Sequence, residues 1–513
     1  MRLISHRRSR RIRPRATSGI AVGLAAFLGA CTVGPDFSPP AAPDVAGYTR
    51  EGGASAAVGS EVAGAIGQRF VSGRDIPGEW WRLFRSKTIN ALVAEAVHNH
   101  PDLAAAEAAL RAARETAIAE GGSLLPQAGF SGSQTREGVS QAQSGRRGTG
   151  SVFDLSGASV SVSYDLDVFG GERRKIEGLE ATAENQRYQL EATQLALSAN
   201  VVTTLITDAS LRAQIAATKD IIRAESEQLD LLRKQFDLGA IAQTDVLLQE
   251  SNVAQSRAGL PALEKALAQN RNQLMAYLGR LPSQDRGEQV PLAELRLPGE
   301  LPLSLPSALV RQRPDVLAAE ETLRRANAQI GVATANMLPK LSLSAAFGSQ
   351  ALSPGELFGA QTAAWSLASS VSQPLFQGGA LIHARESAIA SRDQAAAQYR
   401  STVIKAFQNV ADSLRAIQTD AKALAAQVDA ERAATRSLEI SRSQFKTGGT
   451  TWTTVLTADQ AYQNARIARV KAQAQRHADT AALFQALGGG WWNRVDETPA
   501  AEPRPLAEIL TAR

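Results

Sequence analysis

A single cysteine, Cys31, stands among 513 residues. It excludes an intrachain disulfide and a multi-cysteine zinc site. Histidine is nearly as scarce, at five. His6, His98 and His100 lie in the N-terminal leader or at one helix end, and His98 and His100, two apart, fall on different helix faces. No metal-ligand, phosphate-loop or nucleophile-elbow pattern is present either, so catalysis finds no support. Aromatics make up 5%, while Ala, Gln, Arg, Leu and Glu abound. That balance favours long helices over a compact mixed core. A charge excess is also missing from most of the chain. The net charge is +5, but residues 1–30 hold seven arginines (Arg2, Arg7, Arg8, Arg10, Arg11, Arg13, Arg15) and no acid. Without them the balance is −2, and no broad basic face remains for nucleic acid.

Residues 1–30 read as a secretory leader. An Arg-rich stretch precedes a mostly apolar run, Ile20 to Ala30. The run is short of the roughly 20 apolar residues that a membrane-spanning helix needs and suits the h-region of a signal peptide. It ends Leu28-Gly29-Ala30-Cys31. Small residues before a Cys look like the bacterial lipoprotein box, in which the thiol accepts diacylglycerol and the Cys becomes the N-terminus after cleavage. A covalent lipid on Cys31 is therefore expected, with no other cofactor and no metal. Thr32 rather than Asp follows it, which in such lipoproteins favours delivery to the outer membrane. The alternative is an inert, buried Cys31 near a signal cleaved elsewhere.

Residues 31–84 form an extended N-terminal arm, rich in Pro, Gly, Ala and Ser over 32–70 and flexible near 51–68. Helical pattern begins around Trp80-Trp81. An internal repeat then sets the architecture. Pro101-Asp102-Leu103 returns as Pro314-Asp315-Val316, Leu125-Pro126 as Leu338-Pro339, and Ser210-Leu211-Arg212-Ala213 as Ser413-Leu414-Arg415-Ala416. Gln235-Phe236 returns as Gln444-Phe445, Gly239 as Gly448, and Leu278-Gly279 as Leu487-Gly488. The order is collinear and the offset stays between 203 and 213. The chain is thus two copies of one β-β-α-α unit, 85–280 and 306–489. A linker, 281–305, separates them, and a tail, 490–513, follows.

Each unit predicts a helix (101–121, 314–336), two strands, a very long helix, a Gly turn and a second long helix. The strands fall near 126–137 and 155–168 in the first unit, and near 339–350 and 362–376 in the second. The long hairpins span 171–278 and 379–487. Leu179 to Leu238 and Ala380 to Thr447 lack Gly and Pro, so each helix would run about 90–100 Å at ~1.5 Å per residue. Val201, Ile215, Ile222, Leu229 and Phe236 share a seven-residue register broken by Asp208, and Val246, Val253, Leu260, Leu267 and Leu274 share another. Such stripes favour left-handed supercoiling. Arg469 and Arg476 interrupt the stripe of the second copy, and Pro261 is expected to kink or break the first returning helix near Arg257.

In the strands, Val160, Val162, Tyr164, Leu166 and Val168 alternate with Ser159, Ser161, Ser163, Asp165 and Asp167. Leu341, Leu343, Ala345 and Phe347 alternate with Ser342, Ser344, Ala346 and Gly348, and Trp365, Leu367 and Val371 share a face. The segment near Ala128–Ser133 alternates weakly. Strands of about ten residues, apolar on one face and small-polar on the other, mark membrane β-barrels, although a half-buried soluble sheet alternates in the same way. Four strands cannot close a membrane barrel, and open edges are not tolerated in lipid, so a membrane reading forces an oligomer: two chains give eight strands, three give twelve.

These motifs resemble the TolC-like outer-membrane factors, in particular the NodT-type lipoproteins of tripartite efflux systems. The resemblance is carried by Cys31-Thr32-Val33-Gly34-Pro35-Asp36-Phe37, Trp81, Arg311-Gln312-Arg313-Pro314-Asp315-Val316 with Glu320, Pro374-Leu375-Phe376-Gln377-Gly378-Gly379, and Leu487-Gly488-Gly489-Gly490-Trp491-Trp492. It covers roughly 31–492. It implies a mainly α fold with a small transmembrane β part: a homotrimer whose twelve-stranded outer-membrane barrel continues into a long periplasmic α-helical barrel. An equatorial domain would form from about 281–305 and 488–513. The resemblance further implies a passive, non-enzymatic conduit for small molecules, docked to a periplasmic membrane-fusion adaptor and through it to an inner-membrane RND-type pump.

Within that resemblance the adaptor would touch the hairpin tips, at Leu238, Gly239 and Ala240 and at Thr447, Gly448 and Gly449. A helix reversal already needs Gly in the left-handed conformation, so Gly239 and Gly448 have a purely structural reading too. The family often closes its periplasmic aperture with acidic residues past the second tip, and this chain departs from that. The matching positions are Thr454 and Thr457, Asp459 lies further on, and the first copy keeps Asp245. A hydroxyl constriction is expected, with Asp245 and Asp459 either gating or simply solvated. Two other readings share these features: a lipid-anchored coiled-coil scaffold, for which four symmetric strands have no use, and a protein-secretion duct of the same fold.

Overall fold

The computed structural model describes residues 32–45, 47–50, 57–58, 67–140 and 150–494. The leader, Cys31, most of the 51–68 stretch and the tail beyond 494 lie outside them. The chain divides into two units, and two of its long helices begin in the first and end in the second.

The first unit comprises Met1–Pro39, Arg111–Glu184 and Glu320–Ala397. At its centre is an antiparallel four-stranded sheet. In chain order its strands are β3 (Gln127–Val139), β4 (Ser151–Leu166), β6 (Lys340–Ala351) and β7 (Ala363–Ser372), and this is also their order across the sheet. Each repeat contributes one hairpin, and the hairpins join through β4 and β6. A helix leads into each hairpin, α2 (Pro101–Gly121) and α6 (Pro314–Ala335), and one leads out, α3 (Gly171–Asp237) and α7 (Ala380–Lys446). The start of α3 is set by Asp167. Its carboxylate accepts from the backbone N–H of Glu172 (3.1 Å) and Arg173 (3.0 Å) and from Arg173 Nε (3.1 Å). That satisfies orphan first-turn donors and places negative charge at the positive end of the helix dipole.

The second unit comprises Pro40–Leu110, Asn185–Ala319 and Gln398–Arg513. Its helices are α1 (Lys87–Asn99), α4 (Gln243–Tyr277), α5 (Pro306–Gln312), α8 (Trp452–Ala486) and the longer parts of α3 and α7. A 3-10 turn, Trp80–Phe84, precedes α1. A small sheet, β1 (Ala57–Val58), β2 (Gln68–Ser72) and β5 (Glu300–Leu303), pairs β2 with β5 in parallel. The core gathers Ile76, Trp80, Phe84, Leu205, Leu274, Met275 and Phe484, with Trp80 stacked on Phe484 at 5.4 Å.

Three details correct the sequence expectations. Asp208, the break in the α3 stripe, is fully buried and paired with Arg212 (2.6 Å), with Arg271 of α4 at 3.9 Å. The stripe continues electrostatically there. It stops short of the tip, where Phe236 is exposed and Leu232, one turn after Leu229, is buried instead. Pro261 sits inside an unbroken α4. Its position is solvent-exposed, so water can serve the carbonyl that loses its N–H partner. In α8, Arg476 is buried, and its Nε donates to Gln68 Oε1 at 3.2 Å. Gln68 in turn donates to the Pro298 carbonyl and Thr480 Oγ1, both at 3.3 Å. The arginine in the stripe thus fastens the small sheet onto α8. Arg469 pairs with Glu431 of α7.

Candidate functional site

The register of the larger sheet sorts its side chains into rows. Phe130, Val160, Phe347 and Trp365 lie side by side across all four strands. Ala128, Val162, Ala345 and Leu367 form the next row, then Tyr164, Leu343 and Ser369, then Leu166, Leu341 and Val371. Six residues along β6 separate the outer rows, about 20 Å at ~3.4 Å per residue. This apolar face is bare: Phe130 is 76% exposed, Trp365 78% and Leu367 76%. Beyond the Phe130 row the same face turns polar, with Gln134 opposite Ser156 and Arg136 opposite Asp154. The other face is hydroxylic and small. Its rows are Ser131, Ser159, Gly348 and Ala364; Gly129, Ser161, Ala346 and Ser366; and Gln127, Ser163, Ser344 and Ala368. Ser131 and Ser159 are hydrogen-bonded at 2.9 Å, and Ser342 and Ser370 at 2.7 Å. The two outer edges, β3 and β7, have no partner strand among the described residues. No described helix is long and apolar enough to cross a membrane.

At the far ends of the long hairpins the two copies use one backbone device. Ala240 N donates to the Gln235 carbonyl (2.9 Å) and Gly239 N to Phe236 (2.8 Å); Gly449 N donates to Gln444 (2.8 Å) and Gly448 N to Phe445 (3.1 Å). These bonds satisfy the last carbonyls of each helix, and the left-handed residues are Gly239 (φ 74) and Gly448 (φ 76). A Cβ on either would meet nothing within 4 Å, so the requirement is conformational rather than steric. Behind the turns Leu229, Leu232, Val246, Val253, Leu438, Trp452, Val455 and Ala458 form one core from both hairpins. The surfaces differ. The first tip exposes Leu238 (84%), Leu231, Phe236, Leu247 and Leu248. At the second, Lys446, Thr447, Gly448, Gly449, Thr451, Thr454 and Thr457 are exposed.

Thr454 shares a hydrogen bond with Thr451 at 3.2 Å, and Thr457 Oγ1 donates to the Thr453 carbonyl at 3.0 Å. Asp245 is half-buried in the first turn of α4. Asp459 is not solvated: it is 8% exposed, accepts from Arg442 Nη2 at 3.0 Å and from Gln463 Nε2 at 2.6 Å. Burial raises its carboxyl above the ordinary range, and Arg442 and Gln463 oppose the shift. The hydroxyls of Thr454 and Thr457 therefore stand at the surface while Asp459 is turned inward.

The arm after Cys31 is held more tightly than an extended linker. Val33 N donates to the Phe169 carbonyl at 3.0 Å, Asn327 Nδ2 to Pro35 at 2.8 Å, and buried Arg174 to Val33 (3.2 Å) and Asp36 (2.6 Å). A Cβ on Gly34 would sit 2.5 Å from Gly331 Cα, so two glycines allow the arm and α6 to touch. Nothing in the local pattern announces this contact, because its partners lie about 140 and 300 residues apart.

The outer membrane efflux protein family model matches residues 92–280 and 305–489. Among curated proteins, the chain is 30% identical to the pyoverdine export outer membrane protein OpmQ of Pseudomonas putida, over 80% of this chain and 88% of that one. It is 28% identical to the probable efflux pump outer membrane protein TtgC of the same species, over 93% and 96%. Among solved structures, the outer-membrane channel OprN superposes with a TM-score of 0.81 at 25% identity, covering 90% of this chain and 100% of that one. VceC of Vibrio cholerae gives 0.76 at 26%, covering 81% and 100%. With a bare apolar sheet, paired long hairpins and a family match over both repeats, the chain belongs to the outer membrane efflux protein family and is an outer-membrane channel component of efflux.

Proposed function

We propose that three copies close one twelve-stranded barrel, β7 of each pairing with β3 of the next, and that the trimer is a passive conduit for small molecules. The observation behind this reading is the four-stranded sheet, with apolar rows over about 20 Å of one face and, among the described residues, no partner strand at either edge. Lipid cannot hydrogen-bond the edge N–H and C=O groups, so a neighbouring copy of the same sheet is the natural partner. The apolar rows would then meet lipid and the serine rows would line the lumen. The two repeats, 85–280 and 306–489, supply matching parts, and segments 281–305 and 488–513 contribute an equatorial belt.

In the same reading residues 1–30 are removed and Cys31 carries the lipid. The tips, Leu238–Ala240 and Thr447–Gly449, meet a periplasmic membrane-fusion adaptor coupled to an inner-membrane RND-type pump. Asp245, Thr454 and Thr457 line the aperture, and no cofactor beyond the lipid takes part. The subunit count of the protein extracted from outer membranes in mild detergent tests the core of this. Three chains per particle are expected. A monomer, or release without detergent once Cys31 is replaced, contradicts it. For the lipid, Cys31→Ala should abolish acyl labelling and leave the leader uncut, and unchanged labelling contradicts it.

A further inference from the structure

Behind the apolar tip core, a polar cluster joins α3, α4, α7 and α8. Glu225 of α3 is 2% exposed. Its Oε1 accepts from Asn252 Nδ2 of α4 at 2.6 Å and from Gln463 Nε2 of α8 at 2.5 Å. Gln249 Nε2 of α4 donates to the Glu225 carbonyl at 2.9 Å. The same Gln463 nitrogen donates to Asp459 Oδ2 at 2.6 Å, so one amide holds two carboxyl groups side by side. Arg442 of α7 pairs with Asp459, which leaves one cation for two acids. The neighbouring cations are engaged elsewhere: Arg466 of α8 with Asp220 at 3.0 Å, Arg257 of α4 with Ser226 at 3.2 Å, and Arg233 of α3 with Glu250 at 2.6 Å. Glu225 Oε2 is buried and has no hydrogen bond of good geometry, with only the Ser256 hydroxyl of α4 facing the carboxyl besides Asn252 and Gln463. An ionised Glu225 would hold charge out of water beside a second carboxylate, and desolvation and like charge both oppose that. A neutral carboxyl meets neither penalty.

We propose that Glu225 carries a proton in this packing and that its ionisation loosens the seam between the α3–α4 and α7–α8 hairpins. The inference rests on the reading of this end as the channel's aperture. When the proton leaves to bulk water, Glu225 and Asp459 repel across the amide that bridges them, and α8 is driven from α3. Burial first, and the charge of Asp459, hold the Glu225 carboxyl above its ordinary range, against hydrogen bonds from Ser256, Gln463 and Asn252. A raised value means that the closed packing is fully supported at low pH and loses support as pH rises through that value.

Infrared absorption of the purified oligomer, titrated upward from the ordinary carboxylate range, tests the proton itself. Wild type should show one protonated-carboxyl equivalent more than Glu225→Gln, and equal bands overturn the proposal. In planar bilayers the open fraction of wild type should rise several-fold as pH is raised. Glu225→Gln, which keeps an uncharged group of the same shape, should stay closed and flat, and Asp459→Asn should weaken the step. A full step in Glu225→Gln overturns the proposal. An absence of conductance in every variant would instead sink the conduit reading, with the infrared difference still deciding the proton.

Discussion

The two repeats have the same skeleton and different chemistry. Their long helices have equal lengths, 67 residues outward and 35 back in both copies, and their turns use the same hydrogen bonds. Yet α3 begins on the carboxylate of Asp167, whereas the matching position before α7 is Pro374, followed by Gly378 and Gly379 with positive φ. The first tip presents leucines and the second presents threonines. Asp420 of α7 faces Asp479 of α8, while the same helix positions in the first repeat hold Leu211 and Asn270. Duplication preserved what geometry demands, namely helix length, turn and strand register, and left each exposed end to acquire its own contacts.

Where the copies are alike, equivalent changes should have equal effects. Val162→Arg in the first repeat and Leu367→Arg in the second share one row of the apolar face. Each should destabilise the inserted oligomer by about 2–4 kcal/mol, read as loss of heat-resistant oligomer in detergent. Ser366→Arg, one residue along and on the opposite face, should leave the oligomer intact. A strong loss there would reverse the assignment of the two faces. Where the copies differ, effects should diverge. Leu238→Asp should cut adaptor cross-linking severalfold, and Thr447→Asp much less; equal losses would mean that the apolar ridge is not the main contact.

Smaller differences should follow from the second hairpin's carboxyl pair and the first hairpin's cap. Burial, then the hydrogen bond and charge of Asp479, push Asp420 up to about 7, with Arg476 pulling the other way. Because the value is raised, the stabilisation is complete below the ordinary carboxylate range and is lost as pH rises through about 7. Melting temperature should therefore fall across that window in wild type and less in Asp420→Asn. Asp167→Ala should lower stability by about 1 kcal/mol in denaturant unfolding, with Pro374→Ala close to neutral.

Elements whose environment is periodic could be read from the sequence. β4 and β6 alternate cleanly because one face is apolar and the other carries serines. β3 was faint: on its apolar face only Ala128 and Phe130 mark the pattern, and its neighbour β4 supplies the rest of the row through Val160 and Val162. Interactions that join distant residues were not readable. Asp208 looks like a flaw in a stripe until Arg271, 63 positions on, is seen beside it. Gln68 and Arg476 are separated by 408 residues, and neither type predicts the other. Asp459 stays open between gating and solvation in the sequence, because helical position alone does not reveal Arg442 beside it. Pro261 failed to stop its helix because its exposed side leaves the orphaned carbonyl to water.

The serine face of the sheet has an electrical consequence. From the row of Gln127, Ser163, Ser344 and Ala368 to that of Ser133, Gly157 and Gln350 it carries no ionisable side chain. A lumen walled by hydroxyls without fixed charge gathers no excess of either ion. Through that stretch current should scale with the bulk conductivity of the medium down to low salt, without the plateau that a charged wall produces once its screening length exceeds the bore. Cations and anions would cross it on equal terms, and any preference measured for the whole channel would originate outside it, at Glu137, Asp165 and Lys340 near the ends of the same face or among the helices.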